Sequence, residues 1–316
     1  MVWDIVLLIV GMVLLIKGAD LFVEGSSYVA KVLKIPALII GLTLVSIGTS
    51  LPELSVSVTS AAQGLNDMSF GNVIGSNIFN TFVVIGCSSL FIPLTVSKSM
   101  FRYDIPILTG IYVLLIVFAC LITPQELSLW EAIILVVLLV AYMTFLVIRG
   151  KKEPQEEKKE EKSKPWWVEA LFIVIGLAGI IFGGNFVVNS ASSIAKACGM
   201  SELLVSLTIV AVGTSLPELV TSMVAAKKGE HDIAIGNAVG SCIFNILLIL
   251  GISALIHPMH IDVSSYVDLG VMLLSILLVL AFVWKKRKVE KWQGIVMVVI
   301  YVAYLAYIIL RNIYQF

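Results

Sequence analysis

An all-α membrane protein, with ten transmembrane helices in two inverted-topology repeats of five, is the architecture that this chain of 316 residues predicts. Three observations carry that expectation. The composition is 59% hydrophobic and 13% charged, with a mean hydropathy of +1.04, whereas a soluble domain has about 25% charged residues to face water. Apolar stretches near or above the ~20 residues that cross a bilayer recur ten times. Segments of the first half return in the second at a constant offset of 165 residues. The 21 basic and 21 acidic residues cancel, so there is no basic stripe to favour nucleic acid.

The first span, 3–28, has no basic region ahead of it and carries Asp4, so it reads as a membrane helix and not as a cleaved signal peptide. Asp20 and Glu24, four apart near its outer part, read as a wet helix end, with an ion path as the alternative. The second span, 36–62, holds Gly48, Pro52 and Glu53. A proline inside a helix removes a donor and clashes with the carbonyl four residues back, here that of Gly48, so a break is expected, freeing carbonyls around residues 46–49. The third span, 70–95, places Asn72, Ser76 and Asn80 on one face, with Gly71 and Gly75 four apart for close helix approach. Spans 104–123 and 129–148 complete a first repeat, 1–148. Residues 149–165 mix charges of both signs and lack an apolar pattern, so they read as a solvated cytoplasmic linker.

The second repeat, 166–316, has spans at 166–195, 201–226, 233–256, 266–284 and 292–311. LTLVSIGTSLPEL at 42–54 returns as LTIVAVGTSLPEL at 207–219, and GNVIGSNIFN at 71–80 as GNAVGSCIFN at 236–245. With the N-terminus outside, 18 of the 21 Lys and Arg residues fall in cytoplasmic connections, leaving Lys17, Lys196 and Arg311 elsewhere. Both termini are then extracellular in a multi-pass plasma-membrane protein. An odd number of helices per half turns the second repeat over relative to the first, the arrangement of alternating-access transporters with a site near the bilayer midplane. Trp130, Trp166, Trp167, Trp284 and Trp292 fall at span ends, as an aromatic belt requires. The four cysteines read as packing residues, and His257 and His260 as solvated or capping side chains.

Glu53 and Glu218 lie near the middle of their spans, where a carboxylate costs at least ~2.5 kcal/mol. Ser46, Thr49, Ser50 and Ser57 share the face of Glu53; Thr214, Ser215 and Ser222 repeat the stripe around Glu218. Asn237, Ser241 and Asn245 repeat the trio of the third span. Carboxylates, amides, hydroxyls and freed carbonyls, with no His or Cys, form an all-oxygen donor set suited to Ca2+ or Na+ and poorly suited to Zn2+ or Cu+. Two carboxylates balance one Ca2+ or two Na+. The plainer alternative is polar glue between helices, which suits a single hydroxyl better than two repeat-equivalent glutamates beside helix breaks.

At these residues the chain resembles the sodium/calcium exchanger family, within the wider cation/calcium antiporter superfamily. The doubled GTSLPE at 48–53 and 213–218, followed by GN-x-x-GS-x-x-x-N at 71–80 and 236–245, looks like that family's two alpha-repeats, and the likeness to prokaryotic members covers essentially the whole chain. The resemblance implies exchange of Ca2+ for Na+, no enzymatic activity, no cofactor beyond the transported ions, and a unit functional as a monomer in the lipid bilayer. By similarity, Glu53 and Glu218 ligate Ca2+ together with the backbone carbonyls of Thr49 and Thr214. Ser50, Ser76, Thr214, Ser215 and Ser241 complete flanking Na+ sites with carbonyls near Ser46 and Ala211, while Asn80 and Asn245 line the centre. The family's first and sixth helices are thought to slide across the core; Gly11, Gly18, Gly176, Gly183 and Gly184 suit such contacts here. Asn245 stands where some relatives carry Asp, which disfavours K+ co-transport, and Gly75 and Gly240 stand where proton-coupled members carry Glu. A proton-coupled Ca2+ antiporter and a Ca2+-permeable channel are the alternatives.

Overall fold

The computed structural model describes residues 2–152, 165–199, 209 and 211–314. Most of the charged linker, with its acidic run Glu156, Glu157, Glu160 and Glu161, and the first part of the expected span 201–226 lie outside the described residues.

We label the helices α1 (Val2–Val32), α2 (Ala37–Thr49), α3 (Leu51–Ala62), α4 (Met68–Phe91), α5 (Met100–Ile122), α6 (Leu129–Lys152), α7 (Trp166–Ala197), α8 (Leu216–Lys227), α9 (His231–Ile256), α10 (Ser265–Lys286) and α11 (Lys291–Tyr314). Eight are long and apolar enough to cross a membrane; α2 and α3, bent by 51° at their junction, make up to nine among the described residues. Every expected span has a helical counterpart there; for 201–226 it is α8, preceded by a short helical turn at Ala211–Gly213. The belt tryptophans sit exposed at helix ends, Trp130 and Trp166 among them.

Burial separates core helices from lipid-facing ones. In α4 and α9, 83% and 78% of the apolar window is buried, against 28% in α1, α6 and α7. The polar trios are on α4 and α9, so the spans that carry these amides are the buried ones at the centre of the molecule. An oily, exposed helix belongs against lipid, and a helix with amides must satisfy them internally.

Helix α1 crosses α7 antiparallel along a glycine seam: Gly11 meets Gly183, Gly18 meets Gly176, and Gly25 meets Glu169. A Cβ added at Gly18 would lie 2.7 Å from the Gly176 carbonyl oxygen, and one at Gly176 would lie 2.6 Å from the Phe22 nitrogen. Only glycine allows backbone to lie on backbone in this way. Helices α3 and α8 both end at left-handed glycines, Gly64 (φ +73) and Gly229 (φ +75), the usual αL stop. At the starts of α6 and α11 a side chain three residues on reaches back to an otherwise unpaired backbone donor: Glu131 accepts from the Ser128 backbone N–H at 2.8 Å, and Gln293 from that of Glu290 at 2.8 Å.

Two short antiparallel pairs link connections across the halves. Strand β1 (Leu94–Thr95) pairs with β4 (Lys288–Val289), and β2 (Glu126–Leu127) with β3 (Met259–His260). Two expectations need correction. Asp20 and Glu24 lie well inside α1 and face Lys228 with exposed side chains, so they are wet but do not mark a helix end. Cys198 is exposed at the end of α7 and packs no core, whereas Cys242 is buried; no cysteine among these is paired.

Candidate ion-binding site

The break between α2 and α3 is where the sequence expects it. Ser50 (φ −84, ψ 7) leaves helical geometry, Pro52 occupies the first turn of α3, and Glu53 follows it. Ser215 (φ −94, ψ 6), Pro217 and Glu218 repeat this at the start of α8. A proline is tolerated at a helix start because its missing N–H would be unpaired there. The consequence for the glutamates is electrostatic: each sits in a first turn, where the helix dipole favours negative charge.

Both carboxylates are fully buried, and each is held by a hydroxyl from the other half. Ser50 donates to Glu218 Oε1 at 2.8 Å, and Ser215 donates to Glu53 Oε1 at 3.0 Å. Ser241 approaches Glu218 Oε1 at 3.4 Å, and Ser215 approaches Ser76 at 3.1 Å. The reciprocity extends outward. Thr49 donates to Asn237 Oδ1 at 3.0 Å, and Thr214 to Asn72 Oδ1 at 3.4 Å. Asn72 Nδ2 donates to Ser57 at 2.9 Å, and Asn237 Nδ2 to Ser222 at 3.0 Å.

The remaining polar atoms point to a ligand. Glu53 Oε2, Glu218 Oε2 and both amide atoms of Asn80 and Asn245 are buried without a hydrogen-bond partner. An unsatisfied buried polar atom costs about 1–3 kcal/mol, and more when charged; four of these six atoms are oxygens, which a bound cation would satisfy, and the two amide nitrogens are donors, which it would not. Asn80 and Asn245 each open a π-helical turn, Asn80–Val84 and Asn245–Leu250, a distortion common at functional positions. Among the described residues no three His, Cys, Asp or Glu side chains converge as a metal cluster. The donor set is two carboxylates, amides and hydroxyls, fitting a hard cation.

Of the expected site residues, Ser50 and Ser241 gather on Glu218, and Ser215 with Ser76 on Glu53, making two hydrogen-bonded groups, each with serines from both halves; Thr49 reaches the first through Asn237 and Thr214 the second through Asn72. Ser46 turns its hydroxyl back to the Thr43 carbonyl at 3.2 Å, and its own carbonyl accepts from the Ser50 backbone N–H at 3.0 Å and is approached by Ser241 at 3.5 Å, so at this residue it is the backbone and not the side chain that faces the serines of the site. Gly240 makes room for Ser46, whose hydroxyl lies 2.7 Å from where a Cβ at residue 240 would stand. Ala211 opens a short helical turn, Ala211–Gly213, ahead of the second break. Asn72 and Asn237, expected only as lining amides, are braces that tie α3 and α8 to α4 and α9; their position two helical turns before Asn80 and Asn245 was the available signal.

A family model described as "Sodium/calcium exchanger protein" matches residues 3–148 and 168–310. The chain is 37% identical over 265 residues to "Putative antiporter CaxA" of Alkalimonas amylolytica, covering 80% of this chain and 82% of that protein. It is 33% identical over 292 residues to "Sodium/calcium exchanger MaX1" of Methanosarcina acetivorans, covering 80% of this chain and 83% of the relative. Among solved structures, that of the sodium-calcium exchanger NCX_Mj soaked with zero Na+ and Ca2+ superposes with a TM-score of 0.84 at 30% identity, over 97% of this chain and 99% of the other.

Proposed function

The chain belongs to the sodium/calcium exchanger family, and from that membership we propose that it is a secondary-active antiporter exchanging Na+ for Ca2+ by alternating access. The observation that carries the reading is the reciprocal pair of buried glutamates, each held by a serine of the other half and each keeping one carboxylate oxygen unpartnered.

In this reading a dehydrated Ca2+ takes one oxygen from Glu53 and one from Glu218, with the carbonyls of Thr49 and Thr214 as further ligands. Na+ binds in flanking positions offered by Ser50, Ser76, Thr214, Ser215 and Ser241 and by the backbone near Ser46 and Ala211, while Asn80 and Asn245 supply amide oxygens at the centre. Because two carboxylates neutralise either one Ca2+ or two Na+, the ions compete for one charge balance, and that competition is what couples their fluxes. The ten-helix inverted repeat is supported by the antiparallel run of α1 against α7, its equivalent 165 residues on. The glycine seam lets this pair move over the core as a unit, opening the site to one side at a time.

The deciding experiment is ⁴⁵Ca2+ uptake into Na+-loaded proteoliposomes. Uptake is expected to collapse when the Na+ gradient is removed. Uptake driven as well by a pH gradient without Na+ would replace this reading with proton coupling, and conductance without an obligatory counter-ion would replace it with a channel.

A further inference from the structure

The two access paths are not equivalently built. Lys228, immediately after α8, places its Nζ 2.7 Å from Asp20 Oδ1 on α1, donates to the Asp20 carbonyl oxygen at 2.8 Å, and lies 3.9 Å from Glu24 Oε2. One lysine therefore joins the helix that carries Glu218 to the glycine-seamed α1. The repeat-equivalent positions, 165 residues away, are Gln63, Asn185 and Asn189, which carry no charge. We infer that Lys228, Asp20 and Glu24 form a one-sided latch that holds the access path on the lysine-rich face closed. The inference rests on the proposed motion of α1 and α7 over the core, and it goes beyond that motion by giving it a built-in bias.

The physics is that of an exposed ion pair. With side-chain exposures of 30% for Lys228, 43% for Asp20 and 40% for Glu24, its effect on an equilibrium is about twofold to fivefold, and salt screens it. That is small for stability and sufficient for a transporter whose two states are near balance. A site closed toward one face more of the time shows a correspondingly weaker apparent affinity from that face.

The test uses the full chain in liposomes, with its four native cysteines replaced by alanine and Val224→Cys introduced on α8 between Glu218 and Lys228. Labelling by a membrane-impermeant maleimide from the lysine-rich face reports opening of that path. Lys228→Gln and Asp20→Asn are each expected to speed labelling about twofold to fivefold, whereas Lys228→Arg keeps the original rate. Building the mirror pair with Gln63→Lys and Asn185→Asp should also speed it, by favouring closure of the opposite face. An unchanged rate in Lys228→Gln, or equal acceleration by Gln and Arg, overturns the latch. The readout needs no transported ion, so a flux assay that refutes Na+/Ca2+ exchange leaves this result standing, and the converse also holds.

Discussion

Glu53 and Glu218 are incompletely satisfied: one oxygen of each is fixed by a serine and the other has no hydrogen-bond partner, which is the oxygen assigned to the cation in the proposed site. Glu53→Gln and Glu218→Gln remove a charge that the dehydrated ion needs. Each is expected to cost about 2–5 kcal/mol of ion binding and to abolish Ca2+ uptake, while size-exclusion profiles stay those of the folded protein. Ser50→Ala and Ser215→Ala remove only the positioning hydrogen bond, worth about 1.5–3 kcal/mol when the acceptor is charged; Ca2+ affinity measured by calorimetry should fall roughly tenfold or more. Asn245→Asp adds a carboxylate to the cage and should change ion selectivity or its pH sensitivity more than folding, as read in competition flux assays. The glutamates and their serines were legible in the sequence, because a carboxylate at mid-membrane in two equivalent places is stable only where an ion or a polar partner compensates it. The orientation of Ser46 was not, since a hydroxyl beside its own helix chooses between that helix and the site only once the backbone is built.

Among the elements, two helix hairpins are held by buried charge. Arg149 on α6 meets Asp104 on α5 at 2.8 Å with exposures of 5% and 0%, and Arg311 on α11 meets Asp268 on α10 at 2.9 Å with 14% and 12%. Tyrosines on the same helices as the arginines add to both pairs, Tyr142 approaching Asp104 at 3.4 Å and Tyr304 donating to Asp268 at 2.9 Å. Removing one partner strands the other, at about 3–5 kcal/mol when fully buried, so Arg149→Met should lower the melting temperature in detergent more than Arg311→Met does. In the α1–α7 seam, Gly176→Val is expected to destabilise by about 1–3 kcal/mol through overpacking and to slow transport, because the new side chain meets backbone that cannot step aside. The helix breaks were legible because proline and glycine act through covalent geometry. The π-helical turns at Asn80 and Asn245 and the β1–β4 and β2–β3 pairs were not, since a single extra residue in a turn or a two-residue strand leaves no periodic trace.

At the level of the molecule, the proposed orientation puts both termini on the outer face and the charged linker within; impermeant labelling of tags should reach the termini of intact cells and miss the linker. The cross-bracing of the site has a further meaning. Ser50 serves Glu218 and Ser215 serves Glu53, so neither half contains a finished site. The chain behaves in this respect as a dimer whose subunits have been tethered, and the tether makes occupancy independent of dilution. In the proposed site, a cation held by both carboxylates would act as an adhesive between the halves, and its affinity would be returned as cohesion. Two separately expressed halves should recombine more tightly in Ca2+ than in chelator, and the intact protein should melt higher in Ca2+ without any dependence on its own concentration.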